Sequence, residues 1–150
     1  MTQQNEYAVA VKSGALDAVA TVPGSKSIAH RALICAALAR GDSTITGLPD
    51  GDDTQAMLQG LKILGATISL ENSDAHIDTA IDLDRSDPIS VDANLAGTTA
   101  RFLTAIGALR RGPITVTGNE SLRSRPMKDL HLALKQLGAS VSWRSDCTRI

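Results

Sequence analysis

The chain is 150 residues long, 43% apolar and 21% charged, with 12 Gly, 5 Pro and 2 Cys, a balance that excludes disordered, collagen-like and disulfide-stapled chains. A chain of this length buries roughly 68–70% of its unfolded surface, so it needs neither metal nor crosslink to build a core; with 1 Tyr, 1 Phe and 1 Trp, that core has to come from Leu, Ile, Val and Ala. The net charge of -1 hides an asymmetry, because residues 1–92 carry 6 Lys and Arg against 13 Asp and Glu, while residues 93–150 carry 9 against 3.

The longest apolar run, Ala32 to Ala39, has 8 residues, far short of the ~20 that cross a bilayer. The opening MTQQNEYAVA has no basic region followed by an apolar stretch, so no signal peptide is expected. Cys35 and Cys147 form no CxxC, and Cys35 lies in an apolar helical run where a small buried thiol is the ordinary expectation. These features suit a reducing cytoplasm. The cations of the second part lack interleaved aromatics, which argues against a single-strand binding platform. Neither a membrane nor a nucleic acid is an expected partner.

In chain order, Tyr7 to Lys12 and Asp17 to Val22 read as a hairpin about Ser13-Gly14. The same succession of signals then runs twice. VPGSKS, IAHRALICAALARG, STITGL, DDTQAMLQGLKILGA, TISLE and HID are followed by LAGTT, ARFLTAIGALRRG, PITVTG, RPMKDLHLALKQLGA and SVSWR. Each copy is one supersecondary unit that needs neighbours to bury its apolar face. The expected organisation is a leading strand pair over 1–22, a first unit over 23–88 and a second, incomplete one over 89–150. The predicted fold is α/β, two β-α-β-α-β-β units preceded by a β-hairpin.

Periodicity supports this. Met57, Leu58, Leu61 and Leu64 share one helix face, as do Met127, Leu130, Leu134 and Leu137. Gly41, Gly65, Gly112 and Gly138 follow the four predicted helices, where a left-handed C′ residue is expected. In the strands Ile45, Ile68 and Leu70, Ile114 and Val116, and Val141 and Trp143 alternate with polar residues. The acidic stretch Glu71 to Asp92 reads as a solvated hairpin and linker.

Helix N-termini carry partial positive charge and free N–H groups, so acidic residues belong there. The second predicted helix follows the rule with Asp52 and Asp53. The first opens after Pro23-Gly24-Ser25-Lys26-Ser27 with Arg31 close behind, and the third after Ala96-Gly97-Thr98-Thr99 with Arg101 in the same place. The fourth has Pro126 where proline suits N1, which puts Arg125 at the cap. Singly, Ser25 or Ser27 reads as a cap, Gly24 and Gly97 as turn glycines, and the arginines as solvated. Together, three departures point to anion sites. PGSKS lacks the leading glycine of a Walker loop, so no nucleotide and no Mg²⁺ is implied. His30, His76 and His131 have no metal-ligand spacing and are expected to be surface or satisfied side chains. No metal is expected.

VPGSKSIAHRALICAALARG, DGDDTQAMLQGLKILGA, LAGTTARFLTAIGAL and SLRSRPMKDLHLALKQLGA together resemble the 5-enolpyruvylshikimate-3-phosphate synthase family, from about Val22 to Ser142. The sister family acting on UDP-N-acetylglucosamine, with a Gly-Ala-Lys-Asn type sequence at Gly24-Ser25-Lys26-Ser27, is the poorer match. A non-catalytic anion-binding module is the alternative of another class. The resemblance implies transfer of the carboxyvinyl group of phosphoenolpyruvate to the 5-hydroxyl of shikimate 3-phosphate, without metal or organic cofactor, in a chain about three times as long. The missing remainder of the same enzyme is thus an expected partner, and the 150 residues alone are expected to be inactive. It further implies that Lys26 is catalytic and touches both substrates, Ser27 and Arg31 meet shikimate 3-phosphate, and Gly97 and Arg125 meet phosphoenolpyruvate. Leu95, where many members have Asn, and Phe102, where some have Pro, depart from the family pattern.

Overall fold

The computed structural model describes residues 8, 10, 13–144 and 147–149. The first unit runs α1 (Lys26–Leu38), β1 (Ser43–Ile45), α2 (Asp52–Ile63), β2 (Thr67–Glu71) and β3 (Asp74–Thr79). The second runs β4 (Ile89–Asp92), α3 (Gly97–Gly107), β5 (Ile114–Thr117), a short α4 (Glu120–Arg123), α5 (Lys128–Gln136), β6 (Ser142–Arg144) and β7 (Cys147–Arg149). The two sheets repeat one another. In the first, β3 lies between β1 and β2, antiparallel to both; in the second, β7 lies in the same way between β5 and β6, and β4 adds a parallel strand outside β5.

Among the described residues the first copy has no counterpart of β4. Asp17 to Val22, expected as a strand, has no ladder partner among the described residues, and Val19 and Val22 are exposed. A strand exists only by pairing, because its N–H and C=O groups need acceptors and donors. The other half of the expected hairpin, Tyr7 to Lys12, lies largely outside the described residues.

Helix α2 holds the two units together. Met57, Leu58, Leu61 and Leu64 are all buried, and Gly60 backs directly onto Leu103 of α3 and Val91 of β4, where a Cβ would overlap the Leu103 side chain. The face expected on the corresponding helix α5 is only partly buried, with Leu134 inside and Leu137 84% exposed. Leu70 and Trp143 are exposed too, contrary to the strand alternation; both lie on edge strands, β2 and β6, where open cavities separate them from α2 and α5. Cys35 is exposed rather than buried, since α1 turns Ala36, Ala37 and Leu33 inward instead.

Gly65 and Gly138 take the expected left-handed conformation after α2 and α5, at φ +106° and +95°. Gly112 does not. Helix α3 ends earlier, at Gly107, and Gly112 instead lets the chain touch the linker, since a Cβ there would sit 2.5 Å from the Ser86 carbonyl. Asp82, Asp84 and Asp87 of the linker are exposed, as expected, but the hairpin ahead of them is not solvated, since β3 is the middle strand of its sheet with Ala75 and Ile77 buried, and the linker backbone is fastened. Arg110, whose side chain is 1% exposed, donates to the carbonyls of Arg85, Asp87, Gly112 and Pro113 at 3.2–3.3 Å.

Candidate functional site

The starts of α1, α2 and α3 meet one another. Ser25 is the N-cap of α1, but its side chain makes no capping bond, and Ala96 ahead of α3 has no side chain with which to make one. Neither helix has an acidic residue in its first turn. Both therefore keep the partial positive charge and free N–H groups that favour a bound anion.

Asp53, in the first turn of α2, joins these starts. Its carboxylate accepts a hydrogen bond from Lys26 Nζ at 2.5 Å, and its backbone carbonyl faces the Thr99 hydroxyl at 3.4 Å. The side chains of Lys26 and Asp53 are 54% and 29% exposed. Asp52 and Asp53 are expected as acidic caps of α2; the N-cap is Gly51, and Asp53 serves as the counter-ion of Lys26 instead. Ser27 is exposed, and its carbonyl accepts from Arg31 Nη1 at 2.8 Å. Arg31 also lies over the Phe102 ring, 5.8 Å from its centre, which brings the α1 cation across to α3.

At the start of α3 two guanidiniums converge on Gly97. A Cβ there would meet Arg125 Nη1 at 2.7 Å and Arg101 Nη1 at 3.1 Å, so the missing side chain is what lets both arginines reach the helix start. Arg101 donates to the carbonyls of Gly97 and Pro126, both at 3.1 Å, and so fastens the segment that carries Arg125 to α3. Among the described residues no carboxylate pairs with Arg31, Arg101 or Arg125. A cavity of about 460 Å³ runs along α5 beside Arg125, lined by Lys128, His131 and Trp143 among others.

The position of Arg125 differs from the expectation. Residues 120–123 form their own turn, α4, because the Asn119 side chain accepts from Leu122 N at 3.0 Å; α5 begins at Lys128 with Met127 as N-cap and Asp129 in its first turn. Arg125 thus stands in the link between two helices, and α5 satisfies the charge rule that the sequence pattern has it breaking. Two helix starts, not three, lack their acid.

The structure brings together Lys26, Gly97 and Arg125 through Asp53, Thr99 and Arg101, and places Arg31 against α3; Ser27 stands at the exposed rim. Two neighbours escape a reading of the sequence. Asp53 looks like a cap. Arg101, expected as a helix-start cation at an anion site, instead fastens the Gly97 and Pro126 carbonyls, and its spacing of four from Gly97 puts it over the first of them. His30, expected at the surface or satisfied, is wholly buried with neither ring nitrogen hydrogen-bonded. Burial pushes its imidazole below the usual range, the Asp53 carboxylate opposes that and Lys26 reinforces it. Its spacing of four from Lys26 is the available signal. Among the described residues no cluster of His, Cys, Asp and Glu could hold a metal ion, and no helix is long and apolar enough to cross a membrane.

The family model described as EPSP synthase (3-phosphoshikimate 1-carboxyvinyltransferase) matches residues 11–150. The chain is 42% identical over 125 residues to a 3-phosphoshikimate 1-carboxyvinyltransferase from Shewanella halifaxensis, covering 81% of this chain and 29% of that protein. It is 35% identical over 147 residues to one from Rhizobium etli, covering 98% and 35%. Among solved structures, the EPSP synthase from Acinetobacter baumannii superposes with a TM-score of 0.75 at 27% identity, over 87% of this chain and 31% of that one. An enolpyruvyl transferase from Streptomyces tendae shares the fold at a TM-score of 0.57 and 14% identity, over 82% and 28%. The chain thus spans about a third of the length of the relatives it matches.

Proposed function

Because the chain belongs to the EPSP synthase family, we propose that it supplies part of the substrate site for carboxyvinyl transfer from phosphoenolpyruvate to the 5-hydroxyl of shikimate 3-phosphate, in the cytoplasm, with the rest of such an enzyme completing the site. The observation that carries this is the meeting of two acid-free helix starts with Lys26, Arg31 and Arg125 around them. Both substrates are anions. Gly97 opens the α3 start to the phosphoenolpyruvate phosphate, and the Arg125 guanidinium grips it with parallel hydrogen bonds. Ser27 and Arg31 meet shikimate 3-phosphate. Lys26 lies between, a mobile point charge that follows charge as it develops.

In the reaction the 5-hydroxyl gives up its proton to a base and its oxygen bonds to C2 of phosphoenolpyruvate, while the C2–C3 π electrons take a proton onto the methylene carbon. The tetrahedral adduct then loses a methyl proton and phosphate, restoring the vinyl group. The oriented cations hold both anions and stabilise the departing phosphate. Proton transfer at carbon needs an acid-base group within hydrogen-bond reach of it. Asp53, the carboxylate nearest Lys26, is held by that lysine, and the group is assigned to the remainder of the enzyme. Water exclusion also requires a second wall.

Calorimetric titration with shikimate 3-phosphate tests this. Lys26→Met and Arg31→Ala each weaken binding by about 1.5–3 kcal/mol, the range for hydrogen bonds to charged groups. Arg85→Ala changes little, because Arg85 is occupied with Asp87 at 2.7 and 2.9 Å, away from the site. Equal losses in all three mean diffuse attraction and overturn the site. Phosphate release is absent with the 150-residue chain alone and appears when the remainder is added; steady turnover by the chain alone, lost in Lys26→Met, overturns the division of labour.

A further inference from the structure

Lys26 and His30 are four residues apart on α1 and so occupy one face of that helix. Lys26, at the open end, reaches across to Asp53 of α2. His30, one turn deeper, is wholly buried, and neither Nδ1 nor Nε2 has a hydrogen-bond partner. Even a neutral imidazole carries one donor and one acceptor, and buried polar groups are as a rule hydrogen-bonded. A ring with neither need met, on the helix face whose Lys26 holds Asp53 of the packed helix α2, has the properties of a group whose partner becomes available in another state.

That state follows from the lysine. Lys26 is half exposed on a long, flexible side chain, whereas Asp53 is mostly covered and lies in the first turn of its helix. An anion that draws Lys26 outward leaves the carboxylate without its counter-ion in a partly dry setting, which is costly unless another donor takes it. We infer that His30 is a positioning residue, the reserve partner of Asp53: when Lys26 turns from Asp53 to a bound anion, the imidazole takes up one proton from solvent and holds the carboxylate in its place. This rests on the reading that Lys26 meets an anionic substrate. The electrostatics agree. The charged groups acting on the ring are Asp53 from α2 and Lys26 from its own helix; β1 and β3, which also pack on α1, add no further charge to them, and Thr99 of α3 donates to the backbone carbonyl of Asp53. With Lys26 seated, burial keeps the ring neutral near pH 7; with Lys26 gone, one opposing influence disappears and the attraction of the freed carboxylate grows. His30 would also be the reason that Asp53 keeps its place while Lys26 moves.

The test is the titration of the His30 ring, followed by NMR in the 150-residue chain with inorganic phosphate as probe. Saturating phosphate raises the His30 midpoint by about one pH unit or more, the effect of a facing opposite charge. Lys26→Met raises it without phosphate, and Asp53→Asn shrinks both rises to the smaller one that the loss of the Lys26 charge alone leaves. A phosphate-induced rise that is undiminished in Asp53→Asn would come directly from the anion and overturns the inference, as does a midpoint unmoved in a folded Lys26→Met chain. Lys26→Gln provides the same arm should the Met variant not fold, and the phosphate arm needs no Lys26 variant. If the Lys26 variants raise the midpoint while phosphate leaves every resonance of Lys26, Gly97 and Arg125 unmoved, the exchange between Lys26 and His30 stands and the anion site fails. Phosphate shifting Gly97 and Arg125 with His30 unmoved overturns the exchange and leaves the anion site standing.

Discussion

Helices α2 and α5 occupy the same place in the two repeats and end in the same Leu-Gly-Ala, yet one is a core element and the other is not. Met57, Leu58, Leu61 and Leu64 of α2 are each no more than 3% exposed, whereas α5 and its C-cap range from Leu134 at 7% to Leu137 at 84%. The sequence patterns are alike, so the difference lies in the neighbours. Helix α2 has its own sheet on one side and α3 with β4 on the other; α5 meets α3 but has no further unit beyond it among the described residues. An apolar face in a repeat protein is an offer, and whether it becomes core is decided by the next unit along the chain.

The sharpest way to break the comparison is to truncate both faces. Leu61→Ala should cost about 2–5 kcal/mol, the range for buried Leu-to-Ala changes, and Leu137→Ala should stay within about 0.5 kcal/mol, as for surface changes. Urea unfolding of the two variants decides; equal losses would mean that α5 is covered in solution. Next comes the join between the units. Arg110→Ala removes the guanidinium donor from four carbonyls, of which those of Arg85 and Pro113 keep backbone donors in Gly112 and Ile89 while those of Asp87 and Gly112 lose theirs, and is expected to cost about 1.5–3 kcal/mol, while its neighbour Arg111, paired with Asp84 at the exposed surface, gives about 0–1 kcal/mol on replacement. The same denaturation measurement separates them.

The glycines at the two helix starts sharpen the contrast at the site. A Cβ on Gly24 would overlap the carbonyl oxygen of Gly47, fixed backbone that cannot step aside, so Gly24→Ala should destabilise by about 1–3 kcal/mol. A Cβ on Gly97 meets the ends of two arginine side chains, which can. Gly97→Ala should leave stability nearly unchanged and weaken phosphoenolpyruvate binding by displacing Arg125, a split visible by comparing thermal unfolding with titration. The smallest effect is in pH. Each unit has one buried histidine, His30 and His131, and burial lowers both below the ordinary value of 6.5. The unfolded chain therefore binds more protons than the folded one in the window below pH 6.5. Their contribution is complete above that value and is lost as pH falls through the folded midpoints, by about 1.4 kcal/mol per unit of depression. A melting series from pH 7.5 to 5 should be flatter in His30→Asn than in the parent chain.

The repeat itself is legible in the sequence, because helix and strand periods, Gly65 and Gly138 and the order of elements are local signals. So is Gly97 as the opening of a helix, whereas Arg125, expected at the cap of the helix that follows it, reaches the start of α3 instead. What escapes reading is set by distance along the chain. Asp53 looks like a cap until Lys26, 27 residues earlier, is folded against it. Gly112 looks like a helix terminator until Ser86 is brought beside it. The turn α4 depends on one Asn119 side-chain bond that competes with proline chemistry at Pro126, and a short capped turn is hard to separate from the longer helix that follows. Leu137 and Trp143 have core spacing and lack a core neighbour, which no periodicity can reveal.

Matching Leu64-Gly65-Ala66 with Leu137-Gly138-Ala139 sets Gly60 opposite Ala133. At Gly60 there is no room for a methyl group, since Leu103 and Val91 occupy that space; Ala133 is exposed, and its methyl group meets no such limit. If the two units descend from one duplicated ancestor, this single atom marks where they ceased to be interchangeable parts. A helix from the second copy transplanted into the first would carry its methyl group into the seam between them, so each copy is now confined to its own place in the row.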